Sequence, residues 1–352
     1  KHWTETMMII KFPKFLGLWV ALGILLPSGV NAQSVPSDLA DMNILELRQL
    51  DVRDRALTGV SLVDPGRFHL AYRRVRSFFE DYRDGTETLV DSTLIGPPNG
   101  TTYPILQDKI TQVVHSFEAG YDITRKLSVH LALPYIYQRS EHHSIAGGPD
   151  FTNFDIESQG LGDITLLGSY VALERGTHSL TISPGVSFPT GSTREKGDTP
   201  LPGTENQLPF TMQLGSGTWD LVLGAGYQGN RAAFGWAWPL NWGAQVLGKI
   251  RTGRNSQGYR LGNRLLTSTW LGASPFIWIQ PTINLESQVW GRIEGNDHYF
   301  QGPIFPTPVS DPNNFGGNRV TLMGRLRLRT PELPDGAFYD FLSRQSFSIE
   351  YG

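Results

Sequence analysis

The feature that most limits what this chain can fold into is a side-chain alternation of period two, sustained over runs of ten or more residues beyond Gly66. In one run Leu180, Ile182, Val186 and Phe188 oppose Ser179, Thr181, Ser183 and Ser187. Between Phe276 and Gly291, Ile277, Ile279, Ile283, Leu285 and Val289 oppose Gln280, Thr282, Asn284, Glu286 and Gln288. Later, Val320, Leu322, Leu326 and Leu328 oppose Thr321, Arg325, Arg327 and Arg329, while Trp219, Leu221, Leu223, Ala225 and Tyr227 oppose Asp220, Gly224 and Gly226. A period of two puts each set on its own face of a β-strand. Clusters of Gly, Pro, Asn and Asp separate the runs, as turns do.

A soluble sandwich alternates as well, so further features decide between it and a membrane barrel. The runs are about 10 to 14 residues long, against about 5 to 6 for strands of soluble sheets. Aromatic residues stand near the ends of several apolar faces, as interface girdles require: Tyr135, Tyr137, Phe188, Trp219, Tyr227, Trp236, Trp238, Trp242, Trp270 and Trp278. Short connections (Thr124 to Lys126, Glu174 to His178, Gln228 to Arg231, Ala273 to Pro275) alternate with long ones (Asp84 to Asp108, Ser140 to Gln159, Gly191 to Leu214, Ile293 to Gly317). Short periplasmic turns and long outer loops are the habit of outer-membrane barrels. The 39 Gly and 39 aromatic residues, with 18% charge, fit the same class. Zero Cys excludes disulfide scaffolds and thiolate metal sites, and a net charge of -3 argues against a nucleic-acid surface.

The N-terminus reads as a processing segment. Met7 or Met8 is the expected natural start, with Lys11 and Lys14 as a basic region, Phe15 to Leu26 as an apolar region and Val30-Asn31-Ala32 as a cleavage site. Residues 1–32 are therefore expected to be upstream residues and a signal peptide, residues 33–66 a periplasmic leader or short helix, and residues 67–352 the barrel. The apolar run is shorter than the roughly 20 residues of a membrane-spanning helix. No later segment holds 18 uninterrupted apolar residues.

The alternation predicts eleven strands, at 67–82, 109–123, 126–139, 160–174, 177–190, 217–228, 231–248, 257–273, 275–292, 318–330 and 344–352. Single-chain bacterial barrels have even counts with both ends periplasmic, so eleven implies either a missed strand or an absent twelfth one. The fold class expected is an all-β, transmembrane antiparallel up-and-down β-barrel.

Motifs follow in a fixed order: GLGDITLLGSY at 160–170, SLTISPGVSFPTG at 179–191, QLGSGTWDLVLGAGY at 213–227 and the Gly-rich stretch 243–272, then VWGRIEGND at 289–297 and GGNRVTLMGRLRL at 316–328. This set resembles the outer-membrane transporter family labelled "putative MetA-pathway of phenol degradation", over about residues 110–350. The resemblance implies an outer-membrane channel, with a further loop and final strand after SFSIEYG. It also implies uptake of small hydrophobic or aromatic solutes.

Polar faces opposite the apolar ones would line the lumen. The candidates for lumen lining and selectivity are Arg260, Arg264, Arg325, Arg327, Arg329, Glu118, Asp122, Asp163, Asp220 and Glu286, with Glu350 beside them. They would either brace neighbouring strands or set a transverse field on a solute. The Arg325, Arg327, Arg329 ladder is the leading selectivity candidate. The loop Ile293 to Gly317 could fold inward as a constriction or stay on the surface. His115 and His130 lie in no Ser-His motif, and Glu141-His142-His143 lacks metal-site spacing, so no enzyme, catalytic residue, metal or cofactor is expected. The partners implied are outer-membrane lipid and a small-molecule solute, with no nucleic acid; a homo-oligomer is left open. The rival reading is a structural or scaffold barrel whose lumen is filled by side chains, sheathing a partner protein.

Overall fold

The structure, a computed structural model, describes residues 65–80, 82–84, 87–89, 103–144, 152–199, 205–231, 238–276, 279–299, 307–329 and 346–351, with only the backbone for 83–84, 87–88, 152, 325–329 and 346–351. All belong to one compact unit, Asn31–Gly352. The expected signal peptide, and the leader up to residue 64, lie outside the described residues.

The strands are β1 (Phe68–Glu80), β2 (Tyr82–Asp84), β3 (Glu87–Leu89), β4 (Ile105–Asp122), β5 (Leu127–Ser144), β6 (Thr152–Leu161), β7 (Thr165–Arg175) and β8 (His178–Ser187). They continue as β9 (Lys196–Gly197), β10 (Asn206–Gln207), β11 (Asp220–Arg231), β12 (Leu240–Arg251), β13 (Arg264–Ala273), β14 (Ile279–Trp290), β15 (Gly317–Arg329) and β16 (Ser346–Tyr351). Eleven of them form one antiparallel meander in the order β1-β4-β5-β7-β8-β11-β12-β13-β14-β15-β16. This is the up-and-down β-barrel wall that the alternation predicts. Among the described residues β1 and β16 are not paired with each other. The pairs β2/β3 and β9/β10 are small separate ladders.

Several boundaries differ from expectation. The stretch read as a loop from Ser140 to Gln159 is largely a hairpin, with Tyr135–Ser144 of β5 paired to β6. The lower part of β5, Leu127–Ala132, pairs with β7 instead. β6 and β7 are thus two parts of one descending strand, interrupted at 162–164, where the Gly162 amide still donates to Pro134 O at 2.9 Å. Further along, β12 ends at Arg251 and β13 starts at Arg264, because residues 252–263 are a loop whose backbone bonds run to each other and to 291–298.

The wall is inverted relative to a soluble sheet. On β14 the side chains of Gln280, Thr282, Asn284, Glu286 and Gln288 are buried, while Ile283 and Leu285 are 61% and 48% exposed. β13 repeats the pattern, with Arg264 and Ser268 buried and Leu265 and Leu271 exposed. Outward apolar side chains are stable only where lipid replaces water, and the polar inner row then satisfies itself. Of the girdle aromatics, Tyr135, Trp219, Tyr227 and Trp238 are exposed on the outer face. Phe188, Tyr137 and Trp242 are half-buried, and Trp236 and Trp278 lie outside the described residues.

Trp270 is a correction. It is 4% exposed and shares the inward face with Arg264 and Ser268. Its ring lies against Gly243 on the neighbouring strand, where a Cβ would sit 2.1 Å from the indole. Glycine there is what admits the ring.

Candidate functional site

The long connections gather at one end of the wall and the short turns at the other. At the loop end, three sequence motifs that are remote in the chain close on one another. Asp163 of GLGD is 3% exposed. Its Oδ1 accepts from the Gly191 amide at 2.9 Å, and its Oδ2 from the Ser216 amide at 2.8 Å and the Ser216 hydroxyl at 2.7 Å. Thr190 of the PTG segment donates to Gly162 O at 2.8 Å and accepts from the Ile164 amide at 2.9 Å. A Cβ on Gly215 would fall 2.4 Å from Asp163 Oδ1 and 2.7 Å from Gly191 Cα. Only glycine lets the two loop segments approach a carboxylate so closely.

The same knot reaches the next strands through Asp220, the first residue of β11. Its carboxylate accepts from Arg251 Nη1 at 2.5 Å and Thr218 Oγ1 at 2.6 Å, and the Ser216 hydroxyl, whose proton goes to Asp163, stands 3.1 Å away. Lys249 Nζ stands 3.9 Å away. The side chains of Asp220 and Arg251 have no solvent exposure. Hydrogen bonds of this charged kind are roughly twice as strong as neutral ones, and a buried charge left alone would be strongly destabilising. Asn255 donates to Ser216 O at 3.0 Å and so ties the loop 252–263 to the knot.

From the knot, residues 205–216 run along the inner face of the wall. Ser158 Oγ donates to Met212 O at 2.7 Å and Gln138 Nε2 to Gln213 O at 3.4 Å. Leu214 packs on Val114 and Ile136, and Leu208 with Met212 packs on Ile156. The segment is therefore an inward strap. The loop 291–316 also folds inward in part: Val309, Phe315 and Ile293 join Phe210, Tyr259 and Leu261 in one buried cluster. Phe210 meets Tyr259 at 4.8 Å and Phe315 at 5.8 Å, both edge to face. Of the two fates considered for the Ile293 loop, inward folding holds for its described part.

The candidate residues divide sharply. Asp163 and Asp220 are anchors of the knot. Glu118 is half-buried on the inner face of β4, with Ser116 Oγ at 3.5 Å. Asp122, at the turn end of the same strand, pairs with His69. Arg264 and Glu286 are buried on the inner face of the wall, where Gln288 Nε2 donates to Glu286 Oε1 at 2.8 Å. Arg260 departs from its expected strand position: it lies in the loop 252–263 and pairs with Glu294 across an isolated bridge. The backbone register sets Arg325 opposite Thr282 and Glu350, and Arg327 opposite Gln280 and Ser348. Arg329 pairs with Ser346. Sequence reasoning missed Arg251, Ser216 and the strap itself. The one signal that pointed to them was the ordered set of Gly-rich motifs.

Residues 106–272, the wall from β4 to β13 with all three knot motifs, match the family described as "Putative MetA-pathway of phenol degradation". No curated protein matches the chain in sequence. Among solved structures, an outer membrane channel from Pseudomonas putida F1 is similar at 13% identity and a TM-score of 0.45, over 76% of this chain and 83% of that one.

Proposed function

We propose, for a chain that belongs through residues 106–272 to the "Putative MetA-pathway of phenol degradation" family, that it is a bacterial outer-membrane channel for small aromatic or hydrophobic solutes, crossed by passive diffusion. The observation that carries this reading is the inverted wall, with apolar side chains exposed and polar ones buried on alternate residues of β13 and β14. Such a sheet belongs in lipid, with its loop end outward and its turn end in the periplasm. The aromatic cluster of Phe210, Tyr259 and Phe315 is buried at the loop end beside the strap, where this reading takes a solute past it. An aromatic solute passing them exchanges water for ring faces and edges, which favours it over an equally sized polar one. The inner-face charges, Glu118, Arg264 and Glu286, set the field beyond that point. Asp163 and Asp220 spend their oxygens on amides, hydroxyls and a guanidinium of the chain itself, which supports an anchoring role for them in a channel.

A second reading has its own observation. Ser268, Asn284 and Leu266, on the inner face near the middle of the wall, are all under 4% exposed. A lumen filled by its own side chains would give that burial and would conduct nothing. Planar-bilayer recording on the refolded full chain separates the two. Discrete conductance steps, and faster entry of benzenesulfonate, an aromatic that does not cross bare lipid, than of a sugar of similar size into vesicles, are expected of the channel. A silent bilayer and impermeable vesicles would favour the filled barrel.

A further inference from the structure

Two arginines stand on the wrong face of the wall. β1 pairs with β4 so that Phe68, Leu70, Tyr72, Arg74, Arg76, Phe78 and Glu80 share the outward face. Phe68, Leu70 and Tyr72 are among the most exposed large side chains of the protein, as lipid contacts should be. Arg74 and Arg76, which follow them, are exposed too. An arginine facing lipid is strongly disfavoured at the midplane and tolerated near the interface, so their depth matters.

The register fixes that depth. Arg74 lies in a row with His115 and Tyr135, and Arg76 in a row with Val113 and Tyr137. The girdle tyrosines of β5 thus mark the level of both arginines. The next rows toward the loop end are Phe78, Thr111, Arg139 and then Glu80, Lys109, Glu141. Charges in those outer rows are matched within the protein: Lys109 meets Glu80 at 2.5 Å, and Arg139 meets Asp155 at 2.5 Å and Glu157 at 3.5 Å. In the girdle rows the outward neighbours of Arg74 and Arg76 on β4 and β5 carry no carboxylate, and His115 is bonded to Tyr72 Oη at 2.7 Å. The contact found for Arg76 is with the ring of Phe78, 4.7 Å from its Cζ. The ring supports the guanidinium without neutralising it.

We infer that Arg74 and Arg76 bind the phosphate groups of an outer-leaflet lipid. The inference rests on the outer-membrane reading above. Residues i and i+2 of a strand are about 7 Å apart, so two guanidiniums can engage one phosphorylated headgroup. Each presents a planar fork that matches phosphate oxygens in bidentate fashion, and Arg76 rests against the ring of Phe78, one row nearer the loop end. The lipid's acyl chains would then cover Phe68, Leu70 and Tyr72.

The test uses the refolded full chain in detergent micelles, titrated with bis-phosphorylated lipid A and with its dephosphorylated counterpart, binding being read by native mass spectrometry. Wild type should prefer the phosphorylated lipid at least tenfold. The Arg74→Gln/Arg76→Gln variant should lose that preference, Arg74→Lys/Arg76→Lys should keep part of it, and Arg125→Gln/Lys126→Gln at the turn end should keep it all. Equal affinity of wild type for the two lipids, or an unchanged preference in the Gln variant, overturns the inference. Displacement of the lipid by inorganic phosphate at equal concentration also overturns it, because the site would then hold a bare anion. Heat-modifiable gel mobility verifies that each variant is folded, and the Lys variant keeps the test usable if the Gln variant is not. Insertion into lipid vesicles is scored separately: a chain that fails to insert refutes the outer-membrane reading, whereas one that inserts without lipid preference refutes this inference alone.

Discussion

β6 and β14 both alternate with a period of two, yet with opposite sign. On β14 the buried side chains are Gln280, Thr282, Asn284, Glu286 and Gln288, and the outward ones include Ile283 and Leu285. On β6 the outward side chains are Asp155, Glu157 and Gln159, while Ile156 is buried with Leu208 and Met212. The same reversal occurs inside β5, whose outward row runs through Leu131, Leu133, Tyr135 and Tyr137 before turning to Arg139, Glu141 and His143. Alternation reports only that one face is enclosed; its sign reports what solvent lies outside. Lipid surrounds the wall up to the Tyr137 row, and water surrounds the hairpin beyond it. The knot of Asp163, Ser216, Asp220 and Arg251 stands where the two regimes meet, at the kink between β6 and β7.

The largest effect is expected at that junction. Asp220→Ala leaves Arg251 buried without its carboxylate, a loss of about 3–5 kcal/mol. Urea unfolding of the barrel in vesicles, followed by tryptophan fluorescence, should register it. Next, the same substitution placed on the two outward faces should give unequal results. Ile283→Arg faces lipid and should destabilise by about 2–4 kcal/mol, whereas Asn153→Arg, paired with His143 well beyond the Tyr137 row, faces water and should stay within about 0.5 kcal/mol.

A pH effect should be confined to the watery hairpin. His142 lies inward on β5 beyond the Arg139 row, and burial lowers its pKa to about 4, against raising contributions from the Ser140 carbonyl and Asp155. Phe154 stacks on its ring at 5.0 Å. The folded hairpin therefore holds His142 neutral. Above pH 6.5 that conformation keeps its full stability; as pH falls toward 4 the unfolded chain takes up a proton that the folded one refuses, and stability is lost. The loss approaches about 3 kcal/mol near pH 4. Amide exchange in 139–144 and 152–158 should accelerate on acidification while β14 stays protected, and His142→Gln should flatten the response. The smallest effect belongs to the exposed pair of Arg260 and Glu294, whose removal by Arg260→Ala should change stability by less than about 1 kcal/mol.

The wall was legible in the sequence because lipid-facing strands state their register locally. The eleven runs needed no partner to be recognised, and β14 could be assigned face by face. β6 was lost because its polarity is reversed, so Thr152 to Leu161 did not read like its neighbours. Trp270 was misplaced because residue type was weighed above parity: it lies two residues from buried Ser268, and aromatic rings serve either face. Asp163 and Asp220 were singled out as charges in the interior, but their task as anchors depends on partners 28 to 53 residues away in the sequence. No local pattern encodes such contacts. The glycines at 191 and 215 carried the only trace, since each is the residue a close crossing requires. Arg74 and Arg76 went unremarked because their face could be judged only once β1 was paired with β4.

Lipid lies against one face of the wall, and a sequence with no cysteine allows that to be measured residue by residue. Single cysteines at 279–290 of the full chain, carrying a fluorophore and reconstituted with nitroxide-labelled lipid, report the contact of each position with acyl chains. Strong quenching is expected at Ile279, Ile283 and Leu285, and little at Gln280, Thr282, Asn284, Glu286 and Gln288. Uniform quenching along the strand, or quenching on the even-numbered row, would contradict the account.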